Sequence, residues 1–328
     1  MLRVAIILTL VLGVAAPGAH AYNVYFANYH SHTALSDGIG TPEEAFAYAR
    51  DVAEIDVLGI TDHTHMLTQT EWEELATAAE AATEPGVFVG LRGQEFGNLN
   101  DFGHIGIYDV PYRNPNSTGN LPATYHFIQS YGGFGNFCHP NPEYGTWFDS
   151  LMFYPDYEEA MKSLEIRNGL RADDYEPEYI FALNNGWKLG PFANQDNHEG
   201  MWGDQPNPND GGAIYLTGTL ADTLTKEAIL EAMHARRFYA MEIDPPSDRM
   251  LVWFWANDSI MGSRVTTPEV VEFSAHAEAV NGASLFNRVD LFKDGVIIDS
   301  QVLIGVTIDY SFSDTLASGA SHYYFARV

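Results

Sequence analysis

From Tyr22 to about residue 245 the chain alternates short apolar runs with amphipathic helical segments, a pattern that few folds accommodate. NVYFANYHSH reads as a strand, and TPEEAFAYARDVA follows as a helix with Thr41 at the N-cap, Pro42 in the first turn and Glu44 completing a capping box. DVLGITDH is a second strand, followed by the helix TQTEWEELATAAEAAT. VFVGLRGQEF is a third, with HIGIYDV close behind. FGNFCHP, SLEIRNG, KLGPFANQDNH and AIYLTGTL are later strands, separated by the helical stretches LPATYHFIQSYG, DYEPEYIFALNN and TKEAILEAMHARR. Strand and helix in turn, with both strand faces apolar, argue for a parallel sheet covered by helices. About seven such units predict an α/β fold of the TIM-like barrel type rather than an open sheet.

After Pro245 and Pro246 the texture changes. MLVWFWAN, VVEFSAHAEAV, FNRVDLFKDGVIIDS, VTIDYSF and HYYFARV are strand-like, and Lys293-Asp294-Gly295 is a tight hairpin signal. Residues 246–328 therefore read as a small β-sandwich-like module after a barrel over 22–245. About five strands are visible where a sandwich has about seven, so the module is expected to be incomplete or to lean on the barrel.

At 328 residues and 46% hydrophobic the chain is long enough for both units to have a core. Residues 1–21, MLRVAIILTLVLGVAAPGAHA, run from a basic residue through a short apolar segment to a small-residue site, the layout of a secretory signal peptide cleaved after Ala21. The apolar run from Val4 to Ala16 is short of the roughly 20 residues a membrane span needs. The expectation is an exported protein, periplasmic or extracellular, with no membrane span in its mature form. Cys138 is the single cysteine, so no internal disulfide supports it in that compartment. With 44 acidic and 16 basic residues the formal charge is −28, which argues against nucleic acid and anionic membranes as partners and leaves small molecules. An anionic substrate would need local positive charge from metal ions or a few arginines.

The strand ends carry the candidate chemistry. Residues i and i+2 of a strand face the same side, so His30 and His32 of HSHTALSDG can aim at one point. The second strand ends in TDHTH with Asp62, His63 and His65, the third in Gln94-Glu95, and His104 opens HIGIY. His139 closes FGNFCHP, and Asp196 and His198 repeat the i, i+2 pairing in NQDNH. Reactive groups of parallel α/β barrels gather at the carboxyl ends of strands. Leaving His65 aside, six of the twelve histidines sit at or near such positions together with Asp37, Glu95 and Asp196, too many for chance placement. Nitrogen and oxygen ligands without cysteine suit Zn, Mn or Fe, and a bridging carboxylate allows more than one ion.

HSHTALSDG, then TDH, then a glutamate followed by HIGIY, then HP and DNH, resembles the motif series of the PHP (polymerase and histidinol phosphatase) superfamily from residue 24 to about 240. The resemblance implies a distorted (β/α)7 barrel holding two or three divalent metal ions. It further implies that His30, His32, Glu95 and Asp196 hold one metal, that Glu95 bridges to a second held by His104 and His139, and that Asp37, His63 and His198 hold the third. The leader and trailing β-module resemble the branch that includes the carbaryl hydrolase type.

Clustered divalent ions provide a hydroxide at neutral pH, which predicts hydrolysis at phosphorus or at a carbonyl. The first expectation is a metal-dependent phosphoesterase acting on small phosphate esters, with Asp196 and Glu95 as candidate catalytic carboxylates. Arg167, at the end of SLEIRNG, is the candidate phosphate clamp; the alternative for it is a surface arginine paired with a carboxylate. A carboxyl-ester or carbamate hydrolase with the same ions is the second expectation. A non-catalytic carbohydrate- or surface-binding protein, using the aromatic MLVWFWAN run, is the third. Asp62 is expected to be a structural acceptor and His65 a solvated loop residue. Cys138 is expected to face away from a metal-facing His139.

Overall fold

The computed structural model describes residues 22–328 except 117–118, 171–173, 245–247 and 267–268. The leader expected over 1–21 and the boundary expected at 245 lie outside the described residues. Nine strands make one sheet: β1 (Asn23–Asn28), β2 (Val57–Ile60), β3 (Val89–Asn98), β4 (Gly103–Tyr108), β5 (Phe134–Cys138), β6 (Met161–Asn168), β7 (Gly190–Asn194), β8 (Ile214–Ala221) and β9 (Phe238–Ile243). Their order is β7-β6-β5-β4-β3-β2-β1-β8-β9, and the sheet curls into a nearly closed barrel. Side chains close the gap: the Phe192 and Phe238 rings lie 4.5 Å apart, and Thr217 Oγ1 donates to the Ala193 carbonyl at 3.0 Å.

The sheet is mixed rather than wholly parallel. β1–β2–β3 and β5–β6–β7 pair in parallel, but β4 runs antiparallel to both β3 and β5, and β8 is antiparallel to β1 and β9. Only residues 99–102 separate β3 from β4, far fewer than a parallel crossover needs, so the pair must be a hairpin. Segment 195–213 likewise joins β7 to β8 without a helix to return the chain. β9 went unseen in the sequence because FYAMEI directly follows a helix.

Local chemistry fixes the helices. In α1 (Pro42–Asp51) the Glu44 amide donates to Thr41 Oγ1 at 3.3 Å and the Thr41 amide to Glu44 Oε2 at 2.9 Å, a capping box worth about 1 kcal/mol. Thr68 and Glu71 repeat it at α2 (Gln69–Ala82). Ala45, Phe46 and Ala49 of α1 and Leu75, Ala78 and Ala79 of α2 pack with Leu58 and Ile60 from the outer face of β2. The other parity of each strand faces inward. Val57, Val89, Leu91, Tyr108, Phe134 and Phe192 form one buried cluster, together with Ile229, Ala232 and Met233 of the helix Lys226–His234. Glu95, two positions beyond Gly93 and four beyond Leu91, is on the same face of β3. The barrel interior is thus apolar at the strand starts and polar at their ends, where the site lies.

Seven further strands follow: β10 (Met250–Ala256), β11 (Ser259–Ile260), β12 (Val270–Ala279), β13 (Val289–Lys293), β14 (Val296–Gln301), β15 (Thr307–Thr315) and β16 (Tyr324–Arg327). They form sheets β11-β10-β12-β15 and β14-β13-β16, packed through Phe273, Ala275, Val289, Leu291, Ile308 and Tyr310. The strand number expected from sequence falls short because FNRVDLFKDGVIIDS is a complete hairpin and β11 is too short to read. Asp294 and Gly295, both at positive φ, make the turn of that hairpin. The module does lean on the barrel, through Arg327 to Glu176 at 3.0 Å and Tyr323 to Asn184 at 2.9 Å. Trp253 of the aromatic run is buried and donates to the Tyr22 carbonyl at 3.1 Å, so its indole serves packing rather than a binding surface.

Candidate metal centre

The nine side chains singled out as ligands converge at the strand ends. Glu95 lies at the middle, with His30 Nε2 3.3 Å, His104 Nδ1 2.9 Å and His139 Nε2 3.1 Å from its Oε1, and His32 Nε2 3.4 Å and His63 Nδ1 3.0 Å from its Oε2. Asp196 Oδ1 is 3.2 Å from both His30 Nε2 and His32 Nε2. Asp37 extends the group toward solvent, 3.6 Å from His63 Nε2 and 3.3 Å from His198 Nε2. Ligand atoms of His32, Asp37, His63 and His198 lie within 4.8 Å of one another, as do those of His30, His32 and Glu95, of His30, His139 and Asp196, and of His63, Glu95 and His104.

The donor set fits divalent ions. Imidazoles and carboxylates, mostly buried, face each other at 2.9–3.6 Å, with no lysine or arginine paired to any of them among the described residues. His104 Nδ1 is a buried polar atom 2.9 Å from Glu95 Oε1 with no well-formed hydrogen bond, the kind of orphaned donor-acceptor site that an ion between the two would satisfy. In the metal-free chain the group shares charge internally. Burial would raise Glu95, but His104 and His30 hold it well below the usual carboxylate range. Burial likewise opposes the lowering of Asp196, where His30 and His32 prevail. His63 is raised to about 9 because Glu95 and Asp37 outweigh its desolvation, whereas desolvation prevails at His32 and lowers it.

Other side chains orient this group. Glu165, which the sequence reading passed over, is buried with Oε1 2.8 Å from His30 Nδ1 and Oε2 accepting from the His139 amide at 2.8 Å. An acid between Leu164 and Ile166 was its only trace in the sequence, a break in apolar texture. Asn168 and Asn194 donate to Glu165 at 3.0 Å each. Asp62 is an acceptor, taking the Thr33 amide at 2.8 Å and the Ser36 hydroxyl at 2.5 Å, which fixes the loop that carries Asp37. His65 is exposed, its ring 5.4 Å from that of His63.

Two expectations need correction. Arg167 does not join the cluster: its Nε lies 2.7 Å from Glu242 and its Nη1 2.9 Å from Asp174. In β6 the register passes from Glu165 opposite Phe192 to Arg167 opposite Ala193, so Ile166 is an extra, bulged residue. The bulge inverts the face parity, and Asn168 takes the inward position, 3.3 Å from Asp196. Cys138 does not face away from the cluster but groups with His30 and Glu165. His139 has φ 29°, so the strand alternation breaks between the two residues. Burial pushes the Cys138 thiol up to about 12, and a nucleophilic role remains disfavoured. Asp196, at φ 50°, is a second cluster residue held in the left-handed region.

The loop after His139 is more strained still. Trp147 to Leu151 all have φ between 50° and 57°, a left-handed turn of five non-glycine residues that costs about 1–2 kcal/mol each. Neighbours hold it in place. The Phe148 amide donates to the Phe102 carbonyl at 2.7 Å, Trp147 Nε1 to the Pro140 carbonyl at 2.8 Å, and Trp187 Nε1 to the Leu151 carbonyl at 3.1 Å.

No protein-family model and no curated protein matches this sequence. Among solved structures, a two-domain protein from Bacteroides vulgatus containing a predicted PHP-like metal-dependent phosphoesterase aligns over 92% of this chain and 89% of its own, with TM-score 0.54 and 18% identity. The two proteins share a fold. The match spans both units, in agreement with a barrel followed by a β-module. A proposed metal-dependent phosphoesterase from Bifidobacterium adolescentis aligns over 53% of this chain and 88% of its own, at 14% identity and TM-score 0.37.

Proposed function

We propose that this protein is a metal-dependent hydrolase of the PHP type, acting on small phosphate esters with two or three divalent ions, Zn, Mn or Fe. The observation that carries the reading is the convergence of six imidazoles on three carboxylates, Glu95, Asp196 and Asp37. In this reading His30, His32, Glu95 and Asp196 hold one ion, Glu95, His104 and His139 a second, and Asp37, His63 and His198 a third, with His32 close enough to serve the third as well. Bound ions there supply Lewis acidity toward a phosphoryl or carbonyl oxygen and lower the pKa of coordinated water toward about 7. Glu165 anchors His30 Nδ1 so that Nε2 faces the centre, and Asp62 holds the Asp37 loop through Ser36 and Thr33. Asp37, 45% exposed, lies on the open side from which substrate would approach.

The phosphoesterase reading is supported by the Bacteroides vulgatus protein, whose fold this chain shares and which contains a predicted PHP-like metal-dependent phosphoesterase. Carboxyl-ester or carbamate hydrolysis by the same centre is the second reading, and it is favoured by one observation: Arg167 is engaged by Glu242 and Asp174, so no described cation pairs with the cluster to receive a phosphate. The carbaryl hydrolase branch and export both rest on the leader-like residues 1–21 and the trailing module. The test is parallel turnover of aryl phosphate, aryl acetate and aryl carbamate by the metal-loaded protein and its Asp196→Ala variant. Phosphate turnover that Asp196→Ala abolishes supports the first reading; ester or carbamate turnover alone replaces it with the second.

A further inference from the structure

We propose that the left-handed turn Trp147–Leu151 is a positioning element that sets His104 and His139 on either side of Glu95. The inference rests on the metal-holding part of the function proposed above and is independent of substrate. His104 and His139 approach the same oxygen, Glu95 Oε1, at 2.9 and 3.1 Å, and their rings lie 5.2 Å apart. They come from different strands, and the turn contacts the backbone next to both.

On the His139 side, Trp147 Nε1 donates to the carbonyl of Pro140, the next residue, at 2.8 Å. His139 itself, at φ 29°, is in a conformation it keeps only if the following chain is held. On the His104 side, the Phe148 amide donates to the Phe102 carbonyl at 2.7 Å and the Thr146 amide to the Asp101 carbonyl at 2.6 Å, both in the hairpin tip between β3 and β4. The Phe148 ring covers Gly103, where a Cβ would come within 2.6 Å of it. Stacking of Trp147 on Phe181 at 5.2 Å and the bonds of Trp187 and Asn185 to the Leu151 carbonyl tie the turn to the barrel wall. Straightening the turn would withdraw Trp147 from Pro140 and Phe148 from Phe102 together, releasing both histidines.

Ser150 separates this role from general stability. Its side chain is exposed, its φ is 57°, and it is not a candidate ligand. Glycine adopts that φ without penalty, while a β-branched residue is forced out of it. The full-length protein loaded with Zn2+ should therefore be challenged with a graded chelator, with bound zinc and thermal unfolding followed for the parent, Ser150→Gly and Ser150→Val. Ser150→Val is expected to release one zinc equivalent at about 10–100-fold lower chelator concentration, with the remainder held as in the parent, and Ser150→Gly to retain all of its zinc. Equal retention in all three proteins overturns the proposal. Loss of every equivalent in step with a lowered unfolding temperature also overturns it, by reducing the turn to a structural brace. A parent that binds no zinc, manganese or iron overturns the metal-centre reading itself, a result distinguishable from either.

Discussion

The imidazole of His30 has one nitrogen toward the cluster and one toward Glu165, whose carboxylate also takes the His139 amide. Glu165→Gln keeps the shape and removes the charge that fixes which His30 nitrogen is protonated, so metal affinity should fall about 10–100-fold with little change in fold, as metal titration and circular dichroism would record. Arg167→Ala makes the opposite case. Because its guanidinium is shared between Glu242 and Asp174, its removal should leave kcat/KM for an aryl phosphate within about threefold of the parent. A loss of several hundredfold would return Arg167 to the substrate site. Most of the nine candidate ligands were legible in sequence because histidine and acid at strand ends leave a periodic trace, whereas Asp37 in its loop and His104 at a strand start were tied to the set by the motif resemblance. Glu165 was not, since a carboxylate in mid-strand shows only as a break in apolar texture, and Arg167 was misplaced because a one-residue bulge leaves no compositional mark.

At the level of elements, the hairpin β3–β4 carries Glu95 on one strand and His104 on the other, offset by two pairs because Glu95 faces Gly106 and His104 faces Gly97, and glycine makes its tip possible. Gly97 has φ 132°, and a Cβ there would lie 2.1 Å from the Gly103 carbonyl oxygen. Gly97→Ala is thus expected to cost about 2–4 kcal/mol in denaturant unfolding and to displace two ligand-bearing strands at once. The start of α1 was read closely from sequence because Thr41 with Glu44 marks it by local chemistry alone, and Thr68 with Glu71, seen only in the structure, does the same for α2. Strand direction was not, because it depends on the length and path of connections: four residues between β3 and β4 force a hairpin where the alternating pattern suggested a parallel sheet. The left-handed turn at Trp147 was equally hidden, since none of its five residues favours that conformation and only tertiary contacts hold them there.

For the whole molecule, the central charge cluster ties stability to pH and to metal. In the metal-free chain His63 is raised from 6.5 to about 9, so its contribution is fully present below pH 6.5 and is lost as pH rises through about 9. Glu95 and Asp196, depressed on folding, contribute above the ordinary carboxylate range and lose that contribution as pH falls through their lowered values. The metal-free protein should therefore show a falling Tm between pH 6.5 and 9, and metal-loaded protein should not, because bound ions then supply the positive charge facing the carboxylates. A barrel with further antiparallel sheets toward the C-terminus was readable from the change in texture along the chain, while the seven module strands emerged only in three dimensions. The most direct test is elemental analysis of the purified full-length protein beside its Asp196→Ala variant. Two to three equivalents of Zn, Mn or Fe in the parent, with at least one lost in the variant, is the predicted result; a parent with no bound transition metal even after reconstitution would contradict it.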